Sequence, residues 1–223
     1  MLRPDLPCRC RQVFDRNEYA REDGLVLDDE YTDVPPGKIA TIVTHLEMTE
    51  PAPLRPVQPP EGLTLRAVET PEVGWYQALF TRVGAHDWLW FSRLELPDDD
   101  LAAIIQHRGV EVYALAQGDA DEGLLELDFR VEGACELAFF GVAPALIGTG
   151  AGRYLMNRAI ARAWRRSIDR FHVHTCTLDH PGAVGFYRRS GFRPVRQQVQ
   201  IADDPRLTGL LPDTAAPHVP IFR

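Results

Sequence analysis

A segment that joins an apolar run to an amphipathic run through closely spaced glycines constrains the fold of this chain more than any other feature. Residues 135–142 are almost wholly apolar, as expected of a strand buried on both faces. Beyond residue 152, apolar side chains recur at helical spacing. Gly148, Gly150 and Gly152 stand between the two, at the predicted helix N-terminus. Amides without intrahelical partners, the helix dipole and the missing Cβ atoms favour a bound anion such as a phosphate there.

Two common glycine motifs do not fit this loop. A nucleotide P-loop needs a Lys-Ser or Lys-Thr pair after its last glycine, whereas Arg153 and Tyr154 follow here. The dinucleotide fingerprint needs Gly-x-Gly-x-x-Gly, whereas these glycines are spaced two by two. Upstream, Gly141 interrupts the apolar strand, which predicts a β-bulge or a close approach of another backbone. Pro144 then ends the strand because it has no N–H to donate.

The loop resembles motif A of the GNAT superfamily of acyl-CoA-dependent N-acetyltransferases. That motif is Val-x-Pro, two residues, Arg or Gln, two residues, and Gly-x-Gly or Gly-x-Ala. Val142, Pro144, Gly150 and Gly152 match it. Ile147 stands at the Arg or Gln position, which removes one side chain from the loop but none of its backbone donors.

A second segment resembles motif B of the same superfamily. Residues 170–178 predict another buried strand. Pro181 and Gly191 bracket a short predicted helix that includes Ala183, Phe186 and Tyr187, as motif B does. His180 stands where the motif has Asn. The resemblance covers about residues 63–201 and implies an α/β fold with a mixed, mostly antiparallel central sheet flanked by helices.

The order of the segments predicts one acyltransferase domain over residues 61–202, an N-terminal extension over residues 1–60 and a tail over residues 203–223. The β-rich run 39–48 predicts an extra N-terminal strand. It would join the main sheet or the sheet of a partner, which leaves a homodimer open. Prolines between residues 51 and 60 predict a stiff linker.

Composition and net charge restrict the classes of partner that we expect for this chain. A net charge of −8 over 223 residues argues against nucleic acid and suits a cationic amine. No apolar run is long enough for a membrane span, and the start lacks the apolar stretch of a secretory signal, so we expect no membrane association and a cytoplasmic location.

We expect no bound metal. Cys8 and Cys10 are too close together for a zinc knuckle and have no matching second pair. His172 and His174 share one strand face, which is half a metal site or simply packing, and no third ligand is in view.

The resemblance implies acetyl-CoA as the cosubstrate, with its pantetheine arm along residues 140–142 and its thioester carbonyl bound by a main-chain N–H near Val142. The cofactor-binding residues that it implies are Phe140, Gly141, Val142, Ile147, Gly148, Thr149, Gly150, Ala151, Gly152, Arg153, His180 and Phe186.

Glu136 is the candidate general base, because it precedes Val142 by the six residues that separate a catalytic glutamate from this position in some superfamily members. Its apolar neighbours predict partial desolvation, which would raise its pKa toward the operating pH. The alternatives are a glutamate that faces solvent or pairs with an arginine, and deprotonation through water. Glu126 and Asp128 on the preceding strand are the substitutes.

Three aromatic residues complete the predicted site. Tyr187 is the candidate acid for the departing sulfur, or else packs its helix onto the sheet. Trp88 and Trp90 predict either an aromatic wall for a cationic amine or a core cluster. The sequence thus predicts an N-acetyltransferase acting on a small-molecule or peptide amine by direct attack in a ternary complex. A non-catalytic acyl-CoA sensor on the same fold and a structural module that associates through residues 1–48 are the alternatives.

Overall fold

A seven-stranded sheet organises the computed structural model, which describes residues 33–58 and 60–223. Its strands run across the sheet in the order β2-β3-β4-β5-β6-β1-β7. All neighbours are antiparallel except β5 and β6, which are parallel. The predicted mixed, mostly antiparallel sheet is confirmed. The strands are β1 Lys38–Met48, β2 Leu63–Val68, β3 Val110–Gln117, β4 Ala120–Asp128, β5 Ala134–Val142, β6 Arg170–Cys176 and β7 Arg193–Asp203.

Helices cover both faces of the sheet. We call the face that packs against α4 and α5 the α4 face, and the face that packs against α1 and α3 the α1 face. A π-helical turn, Thr81–Ala85, joins α1 to α2. In the part of the chain that the structure describes, no helix is long and apolar enough to cross a membrane. The helices are α1 Val73–Phe80, α2 His86–Trp88, α3 Asp98–Ile105, α4 Ala151–Ala163 and α5 Ala183–Arg189.

The predicted extra N-terminal strand is confirmed as β1, which lies inside the sheet between β6 and β7. Of the two positions that the sequence left open, β1 takes the one in the main sheet, because Leu46 and Met48 are buried in the core of the α4 face. Cys8 and Cys10 lie outside the described residues. The division of the chain at residues 60 and 202 stays a prediction.

The linker after β1 lies along α4. The Arg55 amide donates to Asn157 Oδ1 at 3.3 Å, and Asn157 Nδ2 donates to the Arg55 carbonyl oxygen at 2.6 Å. Farther along, Val57 Cγ2 is only 3.8 Å from the point where a Cβ on Gly150 would stand. The linker therefore reaches the glycine loop.

The parallel strands β5 and β6 separate after a short common stretch. They pair only from Ala134 opposite Arg170 to Glu136 opposite His172. Beyond those pairs, the two strands have no further paired positions within the described chain. This opening lies directly upstream of the glycine loop, residues 148–152. Helices pack on both faces of the sheet around it.

The prediction of a β-bulge at Gly141 is wrong. The register between β4 and β5 shifts at Ala138, because Leu137 and Phe139 face consecutive residues of β4. Gly141 itself is regularly paired. A Cβ there would lie 2.5 Å from Val83 Cγ1 and 3.1 Å from Trp90 Cη2, so glycine is needed for side-chain packing on the α1 face.

Candidate functional site

The glycine loop ends β5 and starts α4 with unpaired amides. Gly148 and Gly150 have φ angles of +82° and +96°, a region that favours glycine. The Thr149 hydroxyl donates to the Leu146 carbonyl at 2.7 Å and accepts from the Ala151 amide at 3.3 Å, which fixes the turn. Four amides of the loop and of the first turn of α4 find no acceptor among the described residues, and they can bind an anion. These amides belong to Gly148, Gly150, Gly152 and Arg153.

Three arginines converge beside this loop. Arg153 is exposed in the first turn of α4. Desolvation, together with the charges of Arg153 and Arg189, lowers the pKa of Arg55. No carboxylate in the described parts of the chain pairs with any of the three. Ile147 is 44% exposed and brings no charge. The linker and α5 thus bring cations that motif spacing did not predict, since Arg55 lies far from the loop in sequence.

Aromatic rings of α5 pack onto β5 beside the loop. The Phe140 and Phe186 rings stack with centroids 5.7 Å apart, and Tyr187 lies edge-on to Phe140 at 6.3 Å. Phe186 Cε2 is 4.0 Å from where a Cβ on Gly152 would stand. Burial and the nearby charge of Asp179 raise the pKa of Tyr187, so its hydroxyl stays protonated. The structure therefore brings both predicted motifs together.

Asp179 is a residue that the sequence did not single out, and it joins the end of β6 to the segment that follows α2. Its Oδ1 accepts from the Trp90 indole N–H at 2.9 Å. Its Oδ2 accepts from the Thr175 hydroxyl at 2.7 Å and the Cys176 amide at 2.9 Å. No local pattern marks this aspartate, because Trp90 lies 89 residues away in sequence.

Trp90 is partly buried against Phe80 and Phe139, so it belongs to the core cluster of the α1 face. A Cβ on Gly84 would lie 2.0 Å from Trp90 Cδ2, so the π-helical turn needs glycine there. Trp90 thus packs as a core residue while its N–H reaches Asp179.

Trp88 is placed differently from Trp90. Its ring lies 5.3 Å from the His180 ring and 5.8 Å from the His218 ring, both edge-on. His180 Nδ1 accepts from the Gly182 amide at 2.9 Å, which orients its ring before α5. The C-terminal tail thus adds His218 to a cluster that the sequence had not predicted.

Glu136 projects from β5 on the α1 face, and its side chain is 31% exposed. Its Oε1 is 3.4 Å from His174 Nδ1 on β6. Desolvation raises the pKa of Glu136, but the hydrogen bond from His174 and the charges of His174, His172 and Arg93 lower it by more. The net shift is downward, opposite to the direction expected from the sequence.

The two substitute carboxylates are bound to other side chains. Glu126 is fully buried, and it accepts from the Tyr76 hydroxyl at 2.5 Å and from the Arg93 guanidinium. Asp128 pairs with Arg130 at 2.6 Å. Both carboxylates therefore stabilise the fold of the α1 face.

The comparison with protein families decides the family of the chain. The model of the acetyltransferase (GNAT) family matches residues 74–192, just over half of the 223 residues. The chain belongs to the GNAT family. Acetyl transfer is the general activity of this family, and the motif resemblance is confirmed. No curated protein matches the GNAT chain at a significant level.

Solved structures share the fold. A conserved protein of unknown function from Staphylococcus epidermidis is 11% identical with a TM-score of 0.53, over 75% of this chain and 63% of its own. A putative GNAT acetyltransferase from Novosphingobium aromaticivorans is 17% identical with a TM-score of 0.51, over 76% and 68%. A GCN5-related N-acetyltransferase from Sphaerobacter thermophilus is 15% identical with a TM-score of 0.55, over 76% and 53%. The match thus spans between half and about two thirds of these chains.

Proposed function

We propose that this GNAT protein transfers the acetyl group of acetyl-CoA to a primary amine by direct attack in a ternary complex. One observation supports this most strongly. The opening between β5 and β6 leads directly into a loop whose four unpaired amides face no acceptor in the described chain. An extended thioester arm fits the first feature, and a pyrophosphate fits the second.

The binding residues divide by the part of acetyl-CoA that each would hold. The pantetheine arm would lie along residues 140–142, where an unpaired strand edge offers main-chain groups. The pyrophosphate would bind the loop amides, and Arg55, Arg153 and Arg189 would add charge. A main-chain N–H near Val142 would stabilise the negative charge that develops on the thioester oxygen.

The proton balance assigns roles to two side chains. A substrate ammonium must lose two protons, of which one leaves to solvent and one ends on the sulfur. Glu136 would accept the first, which frees the nitrogen lone pair to attack the thioester carbon. As the C–S bond breaks, Tyr187 would donate a proton to the thiolate, and the second proton of the attacking nitrogen would restore the Tyr187 hydroxyl. Burial raises the pKa of Tyr187, so its hydroxyl is protonated before this step.

The acceptor would approach from the α1 face. Trp88 and the exposed part of Trp90 would form its aromatic wall, which suits the cationic amine of a small molecule or a peptide. Asp179 places negative charge beside this wall, where it accepts from the Trp90 indole N–H.

The test follows free thiol release from acetyl-CoA across a panel of small primary amines and amine-bearing peptides. We expect turnover, with kcat reduced about 10²-fold or more in Glu136→Gln and in Tyr187→Phe. Glu132→Gln and Tyr154→Phe are the matched controls, since Glu132 is exposed and Tyr154 packs in the core below α4. Full activity of both site variants would refute these roles.

The sensor alternative rests on two departures from the motifs, the uncharged, exposed Ile147 and His180 in place of Asn. Thermal stabilisation by acetyl-CoA without turnover of any amine would favour it. Absence of both stabilisation and turnover would refute the acyl-CoA site itself.

A further inference from the structure

A row of polar side chains crosses four adjacent strands on the α1 face. Glu136 of β5 contacts His174 of β6 at 3.4 Å. His174 is paired with His45 of β1, and the two rings lie 5.8 Å apart. His45 Nε2 and Gln198 Oε1 of β7 form a hydrogen bond of 2.8 Å. The row begins at Glu136, the last residue of β5 that pairs with β6 before the two strands separate.

The charges around each imidazole differ. Desolvation disfavours the charged His174 ring, but the hydrogen bond and charge of Glu136 and the charge of Asp179 outweigh it and raise the pKa of His174. Desolvation is the main cause that lowers the pKa of the other two rings. Nearby Arg170, His174 and His45 help to lower that of His172 to about 4, and His174 and Arg196 help to lower that of His45.

The three rings therefore differ in their protonation near neutral pH. His172 and His45 stay neutral, whereas His174 takes up or releases a proton. His174 is also 45% exposed, so a proton on it can exchange with solvent.

We propose that Glu136 and His174 act as one proton-accepting pair, in which Glu136 takes the proton of the substrate ammonium and His174 holds it until it leaves to solvent. This inference rests on the proposed acetyl transfer. The N–H bond of the ammonium breaks as an O–H bond forms on Glu136. When the neutral His174 ring carries its hydrogen on Nε2, Nδ1 can accept, and the same proton moves from Glu136 Oε1 to His174 Nδ1, which restores the carboxylate and leaves an imidazolium.

The pair solves a difficulty that any lone carboxylate has. A carboxylate is a weak base toward an ammonium, and the proton would return quickly. A neighbouring imidazole that binds the proton near neutral pH retains it during attack on the thioester. His45 is a positioning residue, because Gln198 orients its ring and its neutral ring packs beside His174.

The first experiment titrates the imidazoles by NMR with histidine labelled in the ring, with His174→Gln used to assign the signal. We expect His174 to titrate above about 6.5 in the wild-type protein and lower in Glu136→Gln. A wild-type value at or below 6.5, or no change in Glu136→Gln, would overturn the pair.

The second experiment measures kcat against pH at saturating amine, with the most active amine of the panel. The acid limb in the wild type should follow the titration of His174. In His174→Gln it should move at least one pH unit toward acid, and kcat at pH 8 should fall about 10-fold or more with the KM for acetyl-CoA unchanged. His86→Gln is the exposed control. An acid limb that His174→Gln does not move would overturn only the role of His174, whereas a wild type without turnover would fail the proposed function and this role together.

Discussion

The two sides of the opening between β5 and β6 are built in opposite ways. On the loop side, which comprises the glycine loop with Arg55 and Arg189, neither the four amides nor the guanidinium groups have acceptors in the described chain. On the acceptor side, which comprises the α1-face residues around Glu136 and Trp90, the charged groups are paired.

This difference indicates which side of the opening needs a ligand to satisfy its polar groups. The loop side has backbone donors and like charges that only an added anion can satisfy. The acceptor side already satisfies its own charges, so a ligand there must insert between existing pairs. We expect substitutions on the acceptor side to affect stability and substitutions on the loop side to affect cosubstrate binding.

The largest effect is expected on the acceptor side, for Arg93→Met. It leaves the fully buried Glu126 without its cation, which should cost about 3–5 kcal/mol of unfolding free energy. Chemical denaturation measures it. Arg153→Met on the loop side should change the free energy by less than about 0.5 kcal/mol. Equal losses of unfolding free energy in the two variants would contradict the proposed difference between the acceptor side and the loop side.

Gly141→Ala should cost about 1–3 kcal/mol, because the new Cβ would overlap Val83 and push on Trp90. Thermal and chemical unfolding would measure this loss. The matched control is Gly74→Ala in α1, where nothing lies within 4 Å of the new Cβ and stability should rise by up to about 1 kcal/mol. A neutral Gly141→Ala would mean that Trp90 is loosely held.

The acceptor side should also give stability an acid dependence through His172. Its pKa is lowered to about 4 in the folded chain, so the unfolded chain binds more protons between about pH 6.5 and pH 4. Stability is therefore present above pH 6.5 and is lost as the pH falls through this window. Compared with the wild type, His172→Gln should lose less stability between pH 7 and pH 4, by on the order of 2 kcal/mol. Parallel denaturation curves at each pH test this, and identical pH dependences would contradict it.

The smallest effect on stability is expected for Arg55→Gln on the loop side. Removing one of three like charges should leave the unfolding free energy unchanged or slightly raised, whereas the KM for acetyl-CoA should rise about five- to tenfold. Steady-state kinetics and denaturation measure the two quantities. Arg108→Gln, an exposed control away from the loop, should alter neither. An unchanged KM in Arg55→Gln would exclude Arg55 from the phosphate site.

Local pattern predicted the fold and the loop side well. The strand predicted over residues 170–178 is observed as β6, Arg170–Cys176, and the helix of motif B ends before Gly191, which has a φ of +107°. Such elements follow from spacing, turn residues and apolar periodicity, which neighbouring residues determine.

The acceptor side depends on pairs that form between distant segments. Neither the indole bond to Asp179 nor the contact of Glu136 with His174 is visible in local spacing. The same limit explains the wrong bulge at Gly141. A glycine in a strand is compatible with a bulge or with close packing, and only the register and the position of Trp90 distinguish them.

The interior position of β1 has a consequence for biosynthesis. Lys38 of β1 bonds to Asp203 of β7, 165 residues later in the chain. Because translation proceeds from the N-terminus, β1 is made long before either neighbouring strand exists. Pairing over such a separation is slow. This half of the sheet can close only after translation has passed residue 203, and until then β1 has no partner strand on its β7 side.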